Sequence, residues 1–387
     1  MRPASILAGL FLVALTLRPQ IVGVGPLLPE IQDGLDTTHA VVGLLATIPV
    51  LCMGLFAPPA AYLSARIGTR SAITWSVLVI GVFGIARALA PSAALVVLFT
   101  WPVGIGMGVA GAVVPVAVKE RFAARPAGAT GVYTTGIQAG SALSAAVAVP
   151  LAAWYGGWRT SLAVFSLVTL ALAGIWVVLT RHDAVHERRP ERPPRLPWHS
   201  RVAWLLVTLF ALMASTYYGI NAWLPDSYVE RDWSTQSAGS LLAVLNLVAI
   251  PAAFLVPWLS DRVWTRRAWL AVMATMFVVG TAGVVLAPVG AYAWAVALGI
   301  ASGGMFSLVL TLPLDLEDDP ARVGALVGMM LGLGYTTAAI SPFVLGGVRD
   351  LTGSFDAVLW VCASFLVLLA VLVRLLPPGR PAYARGG

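Results

Sequence analysis

An arginine lies deep inside the first apolar run of the chain, in Thr16-Leu17-Arg18-Pro19-Gln20-Ile21-Val22, and no second charge follows until Glu30. Counted from Ala4, Arg18 is about 14 residues in, which at roughly 1.5 Å per residue puts it about 20 Å along a helix crossing a core about 30 Å thick. That is too deep for an interfacial anchor. A central arginine costs about 2.5 to 3.5 kcal/mol on insertion scales, so such residues face a bundle interior or a wet cavity and find a partner there. A guanidinium pairs bidentately with planar oxyanions, and with the Gln20 amide beside it the chemistry suits a small anion or carboxylate. The competing reading is structural, with Arg18 snorkelling or held by helix-end carbonyls. Pro19, Pro26 and Pro29 remove backbone donors around it and would free carbonyls close to the site.

The surroundings that must position this arginine are those of a polytopic membrane protein. Of 387 residues, 59% are hydrophobic and 11% charged, and mean hydropathy is +0.88, whereas soluble domains carry about 25% charge. A pI near 9.8 invites a nucleic-acid reading, but the basic residues sit in short loops between apolar runs, as topology signals do. Cys52 and Cys362 lie in apolar runs and His39, His182, His186 and His199 in predicted loops, so neither a disulfide frame nor a metal cluster is expected, and no cofactor. The first run is too long for a signal segment and has no small-residue cleavage site, so it is expected to be retained.

Apolar runs predict twelve helices, at about 4–29, 40–64, 71–90, 94–118, 128–152, 160–180, 202–225, 237–259, 268–287, 291–314, 323–345 and 355–376. With both termini cytoplasmic, nineteen of the 24 Lys and Arg fall inside and only Arg159, Arg231 and Arg349 outside, leaving Arg18 and Arg87 within helices. The charged, proline-rich stretch 181–201 reads as a cytoplasmic linker between an N-terminal half, 1–180, and a C-terminal half, 202–387, that ends in a short tail.

The halves match at an offset of 196: Tyr62-Leu63-Ser64-Ala65-Arg66-Ile67-Gly68-Thr69-Arg70 falls on Trp258-Leu259-Ser260-Asp261-Arg262-Val263-Trp264-Thr265-Arg266, Leu28-Pro29-Glu30 on Leu224-Pro225-Asp226, and Gly43 on Gly239. Six helices repeated in parallel describe two halves related by an axis along the membrane normal. The expected fold class is an all-α polytopic membrane protein of twelve helices in two such halves.

The paired loops resemble the signature of the major facilitator superfamily, Gly-x-x-x-Asp-Arg-x-Gly-x-Arg. The second copy keeps Asp261-Arg262 and Arg266, while the first has Ala61 for the glycine and Ala65 for the aspartate. Within that superfamily the chain resembles the cyanate and nitroimidazole permeases. Leu17-Arg18-Pro19 with Val24-Gly25-Pro26-Leu27-Leu28-Pro29-Glu30 carries the likeness, with Lys119-Glu120-Arg121, Gly131-Val132-Tyr133-Thr134-Thr135, Gly157-Trp158-Arg159, Trp223-Leu224-Pro225 and Gly334-Tyr335. Met213 and Leu331 stand where that family leads us to expect glutamines, and Asp315 where it suggests an arginine. The cavity is therefore less polar than the resemblance implies.

The resemblance implies that helices one, four, seven and ten line a cavity, joined by five, eight and eleven. Arg18, Gln20, Tyr133, Gln138, Tyr217, Tyr218, Asn221 and Tyr335 are then the candidate substrate contacts, with Thr134 and Asn246 nearby. Arg66, Arg70, Asp261 and Arg262 of the loops are candidate conformational contacts. Arg87, near the outer end of helix three, reads first as a snorkelling interfacial residue and second as a gate or another anion contact. The expected activity is secondary active transport of a small, cyanate- or carboxylate-like anion by a monomer in the bacterial inner membrane. Export of neutral heteroaromatic compounds is the alternative. A non-transporting sensor lacks a signalling domain, and an enzyme a paired base and nucleophile; no nucleic-acid partner is expected.

Overall fold

The structure is a computed structural model that describes residues 3–181 and 195–376. Most of the expected linker, and the tail beyond 376, lie outside the described residues. Every regular element among the described residues is helical. Among the described residues eleven helices are long and apolar enough to span a bilayer, and a bent pair, taken as one span, supplies a twelfth.

The first span is broken. It comprises α1 (Pro3–Thr16), α2 (Pro19–Val22), a 3-10 turn over Gly25–Leu27 and α3 (Leu28–Gly34), together one stretch of 31 residues from Ala4 to Gly34. Prolines 19, 26 and 29 carry no N–H, so the carbonyls of Leu15, Val22 and Gly25 lose their i+4 donors. The expected helix over 4–29 is thus interrupted at Arg18. The second span bends by 57° between α4 (His39–Leu55) and α5 (Ala57–Ile67), because Pro58 and Pro59 cannot donate to the carbonyls of Gly54 and Leu55.

The remaining spans are α6 (Thr69–Leu89), α7 (Ala93–Phe122), α8 (Pro126–Tyr155), α9 (Trp158–Thr180), α10 (Arg201–Val229), α11 (Thr235–Ser260), α12 (Arg266–Leu286), α13 (Ala291–Leu316), α14 (Pro320–Thr352) and α15 (Phe355–Val373). Side-chain N-caps start several of them: the Ser200 hydroxyl accepts from Ala203 N–H and Thr265 from Ala268 N–H, each at 3.2 Å.

The chain divides into two compact units. One holds Met1–Ala123, Val132–Leu196 and Glu317–Gly332; the other holds Ala124–Gly131, Pro197–Leu316 and Leu333–Gly387. The first turn of α8 thus groups with the second unit and the start of α14 with the first. In the first unit a buried cluster that includes Val24, Leu27, Ile31, Leu45, Trp158 and Phe165 packs α9 around the broken span.

The repeat is visible in the backbone. Gly68, before α6, has φ +85°, and the residue 196 positions on, Trp264, has φ +63° before α12. A positive φ suits glycine, so the second copy keeps that sign of φ while carrying an unsuitable side chain. Each unit also uses an acid at the end of one span to cap the start of another. Glu30 Oε1 accepts from Trp158 N–H at 3.0 Å, and Glu230 Oε2 from Phe355 N–H at 3.4 Å.

Candidate functional site

Arg18 occupies the N-cap position of α2, where α1 has ended and the next helical turn is beginning. Its carbonyl accepts from Ile21 N–H at 3.0 Å and Val22 N–H at 2.9 Å, and the residue is 9% exposed. The prolines leave carbonyls of this span, that of Leu15 among them, outside the regular hydrogen-bond ladder next to a buried arginine. That gives a polar lining the apolar sequence does not otherwise offer.

Gln20, two residues on, is fully buried. Its Oε1 accepts from Arg87 Nη2 at 2.5 Å, its carbonyl from the same nitrogen at 3.2 Å, and its Nε2 donates to Ser166 Oγ at 3.0 Å. The side chain is therefore spent inside the first unit, tying the broken span to α6 and α9, and is not turned toward an open cavity. Arg87 likewise departs from the snorkelling expectation: it is 0% exposed. Two residues short of the end of α6, it turns inward because the Gln20 carbonyl is released by the break. Val24 N–H, its i+4 donor in a regular helix, bonds to Ile21 instead, at 3.2 Å. The apolar surroundings of Ser166 in sequence gave no sign of its part in this network.

Tyr133 is buried and Gln138 half-buried in α8, within the first unit. In the second unit, Tyr217 donates from its hydroxyl to Asn246 Oδ1 at 2.9 Å, and Asn246 Nδ2 donates to Asn221 Oδ1 at 3.1 Å. Asn221 in turn donates to the Tyr217 carbonyl at 2.8 Å. The Tyr218 ring stands edge-on to Tyr217, centroids 5.5 Å apart. Three predicted contacts on α10 are thus one cluster, closed by Asn246 from α11. Tyr335 is buried edge-on against Phe210, also of α10, at 5.0 Å. Met213 and Leu331 are both buried at 3% exposure.

The signature loops are unequal. In the second, Asp261 accepts from Arg266 Nη2 through Oδ1 and from the Gly128 backbone N–H through Oδ2 at 2.7 Å. Arg266 also donates to Asp315 Oδ2 at 2.9 Å and Ser260 Oγ at 2.6 Å. Asp315 thus answers an arginine of the neighbouring span, while Arg262 lies outside this network, 3.7 Å over the Trp258 ring. Arg266, the last position of the signature, is the loop residue that sequence reasoning should have ranked first.

In the first loop Ala65 offers no carboxylate. Arg66 lies over Tyr62 at 4.4 Å and Arg70 Nε donates to Thr180 Oγ1 at 3.0 Å. Acid is supplied from α7 instead, where Glu120 Oε2 accepts from Thr69 Oγ1 at 2.7 Å and Arg121 Nη1 at 2.6 Å. Lys119 meets Asp318, ahead of α14, at 3.5 Å. No group of three or more His, Cys, Asp or Glu suited to a metal exists among the described residues.

Comparison with known proteins bears on this architecture. The Major Facilitator Superfamily model matches residues 6–339. The cyanate transport protein CynX of Escherichia coli (strain K12) is 32% identical over 89% of this chain and 90% of its own length. The 2-nitroimidazole transporter of the same strain is 30% identical over 95% of this chain and 93% of its own. A probable nitrate/nitrite transporter, NarK2 of Mycobacterium tuberculosis (strain ATCC 25618 / H37Rv), is 29% identical over 84% of each. Among solved structures, the proton:xylose symporter XylE matches with a TM-score of 0.79 over 98% of this chain and 97% of that one at 14% identity, a likeness of fold. Twelve spans, a duplicated signature and relatives across almost the whole length make this chain a multi-pass membrane transporter, not an enzyme, that belongs to the Major Facilitator Superfamily.

Proposed function

We propose that the protein is a secondary active transporter moving a small organic or inorganic anion, cyanate- or carboxylate-like, across a bacterial inner membrane, with Arg18 as the main substrate contact. The observation that carries this reading is a 9% exposed arginine at the break of the first span. A charge held there is paired to something that repays its desolvation, and a substrate oxyanion does so when it arrives. Relatives named for cyanate and for nitrate and nitrite support the class.

In this account the halves 1–180 and 202–387, joined by the linker 181–201, rock about a midplane site, and both termini are cytoplasmic. The protein works as a monomer. Tyr133, Gln138, Tyr217, Tyr218, Asn221 and Tyr335 shape the site, Gln20 braces the break that presents Arg18, and Asp261 with Arg266 steadies one conformer by holding the first turn of α8. Arg66, Arg70 and Arg262 act in the same loops.

Purified protein in proteoliposomes, offered cyanate, nitrate, acetate and 2-nitroimidazole, tests the reading. Saturable uptake of one or more anions, reduced at least tenfold in Arg18→Ala, supports it; anion uptake that Arg18→Ala leaves intact overturns it. The second reading, export of neutral heteroaromatic compounds, is favoured by the buried Met213 and Leu331 and by the Tyr217–Tyr218 ring pair. It predicts that 2-nitroimidazole alone is moved.

A further inference from the structure

Arg87 carries five N–H donors. Nη2 spends its two on the carbonyl and side-chain oxygens of Gln20, while Nε and Nη1 are buried with no hydrogen-bond partner. Three donors of a fully buried guanidinium are therefore unanswered, and both acceptors it does have are neutral. No carboxylate pairs with it among the described residues. The rest of the network cannot help. Gln20 Nε2 donates to Ser166, and the Ser166 hydroxyl donates onward to the Leu162 carbonyl at 2.6 Å, so no further acceptor turns back toward Arg87.

The helix end offers partial compensation, because carbonyls at the last turn of α6 favour a cation there, but only by a fraction of what a buried charge costs. Arg159 competes for that compensation. Its Nη1 takes the carbonyls of Ala88 at 2.9 Å and Ala90 at 2.5 Å. Those two carbonyls of the helix end are thus already committed to another cation. Space on the Gln20 side is tight: a Cβ at Gly84 would lie 3.0 Å from Gln20 Nε2.

We propose that Arg87 forms a second anion site, independent of Arg18, in which Nε and Nη1 hold a small monovalent inorganic anion occluded beside the broken span. The single uncompensated charge sets the valence, and the close packing sets the size. A neutral-acceptor network on one side and three free donors on the other make Gln20 the wall of this site, not a ligand for the transported solute.

The test uses full-length Arg18→Ala in detergent, so that the proposed transport contact is absent. Thermal stability is followed against nitrate at constant ionic strength, with gluconate, too large for an occluded pocket, as the balancing anion. A saturable nitrate-specific rise in Tm, weakened at least tenfold in apparent affinity when Arg87→Gln is added, is the expected result. No saturable rise, or one that survives Arg87→Gln, overturns the proposal. Should Arg87→Gln fail to fold, crystals of the unsubstituted protein in bromide decide: an anomalous peak against Arg87 Nε and Nη1 is expected, and its absence at saturating bromide refutes the site. Loss of uptake in Arg18→Ala with the nitrate response retained separates this site from the transport contact.

Discussion

Replacing Asp261 by alanine removes two interactions at once, the acceptance from Gly128 N–H at 2.7 Å and the pairing with Arg266. The Asp261 side chain is 5% exposed and that of Arg266 11%, so water does not replace either contact at once. Breaking a fully buried pair costs about 3 to 5 kcal/mol because the surviving charge is stranded. Here Arg266 keeps Asp315 at 2.9 Å and Ser260 at 2.6 Å, so most of that penalty is avoided. What remains is the charge-assisted bond to the first turn of α8, worth about 1.5 to 3 kcal/mol. At about 2 kcal/mol the opening of that turn becomes about 30-fold more populated. Hydrogen exchange by mass spectrometry on peptides covering residues 124–131 reads this directly, since exchange from a locally opened turn scales with its population. Exchange there should be about 30-fold faster in Asp261→Ala, with peptides from α9 unchanged. Exchange within threefold of the unsubstituted protein would refute the claim that Asp261 holds the turn.

On α7, a Cβ at Gly108 would lie 2.6 Å from the Cys52 carbonyl whereas one at Gly111 would meet nothing within 4 Å. Gly108→Ala should therefore lower stability by about 1 to 3 kcal/mol, and Gly111→Ala raise it by up to about 1 kcal/mol, in thermal melts of the two variants. Trp264 sits at φ +63° and is 59% exposed. Trp264→Gly relieves about 1 to 2 kcal/mol of backbone strain, offset by about 0.5 to 1.5 kcal/mol from the lost ring contact with Trp269, so its Tm should stay level or rise slightly. Trp264→Val should melt lower. Asn246→Ala removes the acceptor of the Tyr217 hydroxyl and a donor to Asn221 and should cost about 1 to 3 kcal/mol, with KM for the transported solute altered as the cluster loosens.

The sequence made the spans and their repeat readable because lipid demands long apolar runs, and an offset of 196 survives in the loop residues around Arg66 and Arg262. The break at Arg18 was readable too, since Pro19 and Pro26 remove donors wherever the helix points. The rotation of each helix was not. Arg87 lies close to a helix end, which suggests snorkelling, yet it faces inward to a glutamine 67 positions away, and that glutamine reaches a serine 146 positions away. Such pairings depend on which face each apolar helix turns to its neighbour, and uniformly apolar helices carry no periodicity to reveal it. Asp315 illustrates the same limit. As a departure from a family pattern it looked like lost chemistry, whereas it is the acceptor for Arg266.

The central claim is that Arg18 recognises a substrate anion through its guanidinium. The most direct measurement is the KM for the anion that proves to be transported, in proteoliposomes carrying the unsubstituted protein, Arg18→Lys and Arg18→Gln. A charge-assisted contact of about 1.5 to 3 kcal/mol predicts a KM raised about 10- to 150-fold in Arg18→Gln, with Arg18→Lys between the two because it keeps the charge and loses the fork. Equal KM values for all three would contradict the account and leave Arg18 as a structural residue of the broken span.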